Sequence, residues 1–120
     1  MKKLTLVIGA SENPDRYSNR AILSLKKHGH EIIALGIKEG EVEGTMILTN
    51  KPPLKDIDTV TLYVGPKNQA EWIDYILGLN PKRIIFNPGT ENDNFYNLAT
   101  QKSIECVNAC TLVMLSTNAY

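Results

Sequence analysis

This sequence has no net charge, only two histidines and two cysteines, and no long apolar run. Thirteen basic residues balance thirteen acidic ones, so the chain has no overall field that would attract nucleic acid or an anionic membrane. The apolar segment at residues 4–8 is too short for the apolar region of a signal peptide or for a membrane span. We therefore expect a cytoplasmic protein that binds neither nucleic acid nor membrane.

The few cysteines and histidines do not form a recognisable metal or catalytic set. Cys106 and Cys110 are four positions apart with no histidine near them, whereas a zinc site needs more ligands. We expect both to be small buried or half-buried side chains of a reducing compartment. His28 and His30 flank the end of a helix and the start of a strand. We therefore predict no metal site and assign no catalytic residue.

The composition is that of an ordinary globular domain, and apolar runs alternate with helical stripes. With 120 residues, 42% hydrophobic, the chain is long enough for one domain with a real core. Short apolar runs predict strands at residues 4–8, 31–36, 58–64, 83–86 and 104–107, with a minor strand at residues 46–48. Residues 112–115 form a last apolar piece.

Three helices are predicted between these strands. The first begins near Ser18 as N-cap and ends at Gly29. The second starts at the capping-box spacing of Asn68 and Glu71 and is ended by Gly78 and Pro81. The third covers residues 94–102, capped by Glu91 or Asp93, and buries Phe95, Leu98 and Ala99. Strands separated by single helices predict a Rossmann-like three-layer α/β fold, whose parallel sheet has five strands and room for one small extra strand.

The first strand-to-helix turn is a candidate phosphate site. Gly9 follows the strand directly, Ser11 offers a hydroxyl, and the amides before the helix offer donors to an anion. Arg16 and Arg20 flank the helix start and could reach a diphosphate. The dinucleotide fingerprint G-x-G-x-x-G is incomplete, because its later glycines would fall at Ser11 and Pro14. A turn that only connects strand to helix remains an alternative.

The later strand ends carry further candidates. Lys38 follows the second strand, where an NAD-binding domain needs an acid, so it suits a phosphate on the adenosine ribose, as in coenzyme A or NADP. Glu39 beside it weakens this interpretation. Gly65 and Pro66 leave a flat wall for an adenine ring, and a turn with an Asn side chain begins at Asn87. Each of these has a plain loop or turn as its alternative.

Taken in order, these motifs resemble the CoA-binding domain family. The motifs follow one another along nearly the whole chain. Their order is G-A-S, S-x-R before a helix ending in H-G, a lysine after the second strand, Y-V-G-P, N-P-G-T-E-N and A-C-T-L-V. The family consists of stand-alone proteins similar to the N-terminal domain of the succinyl-CoA synthetase alpha subunit. Its ligase activity is not expected here, because the phosphorylated histidine of the synthetase lies in a second domain.

The resemblance implies a set of contacts for coenzyme A. The diphosphate would bind at residues 11–14, Lys38 would contact the cofactor, and residues 64–66 and 87–89 would line it. With the residues chosen from the strand ends, the candidate cofactor-binding set is Gly9, Ala10, Ser11, Glu12, Asn13, Pro14, Arg16, Ser18, Arg20, Lys38, Val64, Gly65, Pro66, Asn87, Pro88 and Gly89.

Three functions remain open at this point. The first is a coenzyme A or acyl-CoA binding protein without evident catalytic apparatus, working alone, as a homodimer or with a separate partner enzyme. The second is an NADP-binding redox protein or sensor. The third is an assembly subunit that no longer binds a nucleotide, in which Trp72 or residues 112–115 would form a dimer face.

Overall fold

The computed structural model describes residues 2–120, in which strands and helices alternate. The strands are β1 (Thr5–Ile8), β2 (Ile32–Leu35), β3 (Gly40–Val42), β4 (Thr45–Leu48), β5 (Thr59–Leu62), β6 (Arg83–Phe86) and β7 (Glu105–Asn108). The helices are α1 (Tyr17–Lys27), α2 (Ala70–Leu79), α3 (Asp93–Gln101) and α4 (Thr111–Ser116), and a short 3-10 turn, Pro66–Asn68, precedes α2. Across this part of the chain no helix has the length and apolarity to cross a membrane.

The strands form one mostly parallel sheet in the order β3-β4-β2-β1-β5-β6-β7. This confirms the Rossmann-like α/β class, but the expected count of five strands with one small extra is wrong. The extra piece at residues 46–48 belongs to β4, and β3 pairs with β4 antiparallel. Glu43 and Gly44 join them with φ of 45° and 86°. Two successive positive φ angles are typical of a type I′ hairpin turn.

The sheet is buried between two helical layers. Every residue of β1, β5 and β6 is buried, as expected for central parallel strands. One apolar cluster joins the sheet to α2 and α3 through Trp72, Ile76 and Phe95. A second joins the opposite face to α1 and α4 through Ile22 and Leu115. The core therefore holds the strand ends rigidly and leaves the loops beyond them to form a site.

The start of α1 differs from the prediction. The helix begins at Tyr17 after Arg16, which has extended backbone and makes no side-chain capping bond. Ser18 lies inside the first turn and is 3% exposed, so its assignment as N-cap is wrong. The predicted end of this helix agrees with the structure, because the helix ends at Lys27 and Gly29 follows with a left-handed φ of +83°.

Both ends of α2 also differ from the prediction. Gln69 precedes the helix without a side-chain capping bond, and Asn68 lies in the 3-10 turn, so the predicted capping box is wrong. The helix continues through Gly78 and ends at Asn80, whose φ of 50° is left-handed. Asparagine tolerates this conformation, which explains why it ends the helix in place of glycine.

The last two helices also differ from the prediction. Asn92, rather than Glu91 or Asp93, caps α3 by accepting a hydrogen bond from the Phe95 amide at 3.1 Å. Leu98, expected in the core, is 37% exposed. The apolar piece at residues 112–115 is helical and belongs to α4.

Candidate functional site

The loops after β1, β2 and β5 meet at the carboxyl edge of the sheet. Strand order reverses on the two sides of β1, where open α/β sheets usually bind their ligands. A cavity of about 670 Å³, called here the main cavity, opens there and has the size of a small-molecule site. Its lining comprises Gly9, Ala10, Ser11, Glu12, Asn13, Arg16, Ile37, Lys38, Glu39, Tyr63, Val64, Gly65, Asn68, Glu71 and Trp72.

The first loop, residues 9–16, begins with a backbone that only glycine fits well. Gly9 has a φ of +92°, and a Cβ there would approach the Tyr63 carbonyl oxygen to 3.0 Å. The amides of Gly9 and Ala10 both donate to the Leu35 carbonyl at 2.9 Å. The turn is thereby fixed to the end of β2, so the walls of the main cavity are preformed.

Hydrogen bonds within the first loop hold its shape. The Ser11 hydroxyl accepts from the Asn13 amide at 3.1 Å, and the Asn13 carboxamide oxygen accepts from the Asp15 amide at 2.9 Å. From α1, the buried Asn19 side chain donates to the Ser11 carbonyl at 2.9 Å. Asn19 was missed by sequence reasoning, since an asparagine inside a helix gives no signal of the loop that it contacts.

The end of the first loop offers donors for an anion. The amides of Tyr17 and Ser18 have no acceptor within residues 2–120, because no side chain caps α1. The positive end of the helix dipole lies there as well. Arg16 lines the main cavity and forms no ion pair with a described residue. This arrangement suits a phosphate or diphosphate.

Glu12 has a structural use that the sequence did not reveal. Its carboxylate accepts a hydrogen bond from the Glu41 amide of β3 at 2.9 Å. Gly40 makes room for it, since a Cβ there would lie 2.3 Å from the Glu12 carboxyl carbon. The side chain therefore links the first loop to the β3–β4 hairpin. An acidic residue beside an anion site is acceptable when a backbone donor holds its carboxylate in this way.

The second loop, residues 36–39, forms the opposite wall. Gly36 packs so tightly that a Cβ would approach the Ala10 carbonyl oxygen to 2.4 Å. Ile37 is 96% exposed, and with Lys38 and Glu39 it lines the main cavity. Lys38 forms no ion pair within the described chain and is free to meet an anionic group.

The third wall follows β5. Val64 and Gly65 line the main cavity, whereas Pro66 begins the 3-10 turn outside its lining. Trp72 is 6% exposed and belongs to the core, which leaves little of its surface for the dimer face considered above. Lys51 lies 4.7 Å above its ring.

Gln69 joins the loops after β5 and β6 and was also missed. It is fully buried and donates to the carbonyls of Val64 at 2.8 Å and Thr90 at 2.7 Å. Its carboxamide oxygen accepts from Asn92 at 2.9 Å. Because every polar atom has a partner, this glutamine fixes the spacing between the two loops.

Two smaller cavities continue from the main one. The rim cavity, about 230 Å³, is lined by Gly9, Asp15, Arg16, Tyr17, Ser18, Tyr63, Gly65, Pro88, Gly89 and Thr90. The apolar cavity, about 240 Å³, is lined by Tyr17, Tyr63, Asn87, Pro88, Cys110 and Leu112. The predicted turn at residues 87–89 lies outside the lining of the main cavity. Asn87 lines the apolar cavity, Gly89 lines the rim cavity and Pro88 lines both.

The side-chain amide group of Asn87 is occupied by hydrogen bonds within the protein. It donates to the Thr61 hydroxyl at 2.8 Å and to the Leu62 carbonyl at 2.9 Å, and it accepts from the Thr111 amide at 2.9 Å. These bonds tie β5 and the start of α4 to the end of β6. Asn87 thus shapes the apolar cavity and has no donor left for a ligand.

Pro14 and Arg20 stay outside the three cavities. The Arg20 guanidinium lies 5.2 Å above the Tyr17 ring. Arg16 is thus the arginine that the fold brings to the main cavity.

Tyr63 lines all three cavities and has a perturbed hydroxyl. Burial raises the pKa of Tyr63 to about 12, because the phenolate would be desolvated. The hydroxyl lies near those of Thr61 and Thr111 without forming a hydrogen bond of normal geometry with either. Tyr63 is therefore a neutral, structural part of the wall at neutral pH.

The fold and the cavities define a Rossmann-like α/β domain with a crevice at its carboxyl edge. The chain belongs to the CoA binding domain family, whose model matches residues 3–116. It is similar to a crystal structure of an uncharacterized protein, with 48% identity and a TM-score of 0.98 over 100% of this chain and 99% of that one.

Two archaeal structures are more distant relatives. A hypothetical protein from Pyrococcus horikoshii is 26% identical, with a TM-score of 0.83 over 94% of this chain and 81% of that one. A conserved hypothetical protein from Pyrococcus furiosus is also 26% identical, with a TM-score of 0.80 over 94% and 98%. No match was found among curated proteins.

Proposed function

We propose that this protein binds coenzyme A or an acyl-CoA in the crevice at the carboxyl edge of the sheet and serves as a binding protein. The observation that carries the proposal is the uncapped start of α1 beside Arg16, which offers amide donors and a cation to a diphosphate. Membership of the CoA binding domain family supports the choice of ligand.

The second loop supports the choice of coenzyme A over NAD. A ribose without a phosphate needs an acidic partner after β2, whereas Lys38 there suits a 3′-phosphate. In this proposal the adenosine lies in the main cavity between the second loop and the wall at Val64 and Gly65, with its 3′-phosphate toward Lys38. The diphosphate lies against residues 11–13, Arg16 and the start of α1.

Calorimetric titration with four ligands, namely coenzyme A, dephospho-CoA, NADP and NAD, tests the proposal. Coenzyme A should bind more tightly than dephospho-CoA, and both more tightly than NAD. Lys38→Ala should weaken binding of coenzyme A about threefold to tenfold and leave dephospho-CoA nearly unchanged, since Lys38 is exposed and its contact is partly screened.

Lys27→Ala is the matched control, because this exposed lysine lies in the last turn of α1, far from the crevice. Tighter binding of NADP than of coenzyme A would favour the redox alternative. Absence of binding by all four ligands at millimolar concentration would contradict the proposal.

A further inference from the structure

The apolar cavity adjoins the proposed cofactor site but no part of the nucleotide needs it. The rim cavity shares Gly9, Arg16 and Gly65 with the main cavity, and it shares Tyr17 and Pro88 with the apolar cavity. Tyr63 lines all three, so the cavities adjoin one another along the carboxyl edge and form one series. A ligand whose diphosphate lies beside Arg16, which lines both the main and the rim cavity, has room for its non-nucleotide end in this series.

The lining of the apolar cavity is uncharged. Tyr17, Tyr63, Pro88, Cys110 and Leu112 contribute rings, a thiol and an aliphatic side chain. The remaining residue is Asn87, whose amide group is used by internal hydrogen bonds. Such a lining favours an apolar group over an ionised one, because none of its own side chains carries a charge that would pair with the ligand.

We infer that the apolar cavity binds the acyl group of a short-chain, uncharged acyl-CoA; this rests on the proposed binding of the cofactor. Its volume of about 240 Å³ corresponds to roughly eight water-sized groups. A butyryl group, with five non-hydrogen atoms, fills more than half of that space, whereas the bare thiol of coenzyme A leaves it mostly empty. An octanoyl group, with nine, slightly exceeds it, and a succinyl group would bring a carboxylate into it.

A series of acyl-CoA ligands tests the inference on the unaltered protein. Affinity should rise from coenzyme A through acetyl-CoA to butyryl-CoA, by up to about fourfold for each buried methylene. It should rise further for hexanoyl-CoA and level off at octanoyl-CoA, and succinyl-CoA should bind no better than coenzyme A. Equal affinity for coenzyme A and butyryl-CoA, or a preference for succinyl-CoA, would overturn the inference.

A pair of variants on α4 locates the effect. Leu112→Trp fills the cavity, so the ratio of affinities for butyryl-CoA and coenzyme A should fall to about one. Val113→Trp is the matched control, because Val113 is 57% exposed on the same helix, and it should keep the ratio of the unaltered protein. An unchanged ratio in Leu112→Trp would assign the acyl group to another place and overturn the inference.

The outcomes separate this inference from the function on which it rests. Binding of coenzyme A without any preference for acyl chains removes the acyl site and leaves the proposed function intact. Absence of binding by every ligand in the series removes both. Circular dichroism of the two variants checks their fold, and the ligand series on the unaltered protein decides the matter if Leu112→Trp does not fold.

Discussion

Substitution of Gly36 by alanine tests whether the first two loops are packed as tightly as the structure has them. The added Cβ would lie 2.4 Å from the Ala10 carbonyl oxygen, which is backbone and cannot rotate away. Relief requires the loops after β1 and β2 to separate by about 1 Å, and such overpacking costs roughly 1–3 kcal/mol. The bonds from Gly9 and Ala10 to Leu35 would be strained as well, each worth about 1 kcal/mol.

We therefore expect Gly36→Ala to lower the free energy of unfolding by about 2–4 kcal/mol. Urea denaturation measures this directly, and fluorescence of the single, buried Trp72 reports unfolding. With a slope of about 2 kcal/mol per molar, the midpoint should fall by about 1–2 M. Affinity for coenzyme A should fall too, because Ala10 lines the main cavity.

Gly78→Ala is the matched control within α2. A Cβ at Gly78 meets no atom within 4 Å, and alanine is the better helix former by about 0.5–1 kcal/mol. The two substitutions should therefore move the midpoint in opposite directions. A Gly36→Ala protein as stable as the unaltered one would refute the packing argument.

Two further substitutions test the buried polar groups. Asn87→Ala leaves the Leu62 carbonyl and the Thr111 amide without partners, so we expect a loss of about 2–4 kcal/mol in urea denaturation; a change below 0.5 kcal/mol would contradict the assigned network. Tyr63→Phe removes a hydroxyl that the folded state keeps protonated to about pH 12, whereas the unfolded chain ionises near 10. Stability of the unaltered protein should fall as pH rises through this window, and the fall should be shallower in Tyr63→Phe. Identical pH profiles for the two proteins would rule out this contribution.

The central strands of the fold were predictable because their composition matches their burial. β1 and β6 are short apolar runs buried on both faces, and the sequence pattern identifies such strands directly. The hairpin of β3 was not predicted, because Gly40–Val42 has three residues and no alternation, and its turn uses glutamate where asparagine is usual. α4 was not predicted either, because its six residues are too few to show a repeating helical stripe of apolar residues.

The location of the site was predictable, but the use of individual side chains was not. Parallel strands place their following loops at one edge, so Gly9, Lys38 and Gly65 could be expected together, and the main cavity joins them. The roles of Glu12 and Asn87 depend on partners distant in the chain, at Glu41 and Thr111. No local pattern indicates such contacts.

The short loop between β2 and β3 makes this domain convenient to re-engineer. Residues 37–39 lie between β2 and β3, which both pair with β4, so both ends of the segment are anchored while its exposed side chains contribute little to the core. These three positions can be randomised as a cassette with Gly36 and Gly40 kept constant. Under the proposed function, a library of this kind would change which cofactor the crevice prefers while the scaffold beneath it stays the same.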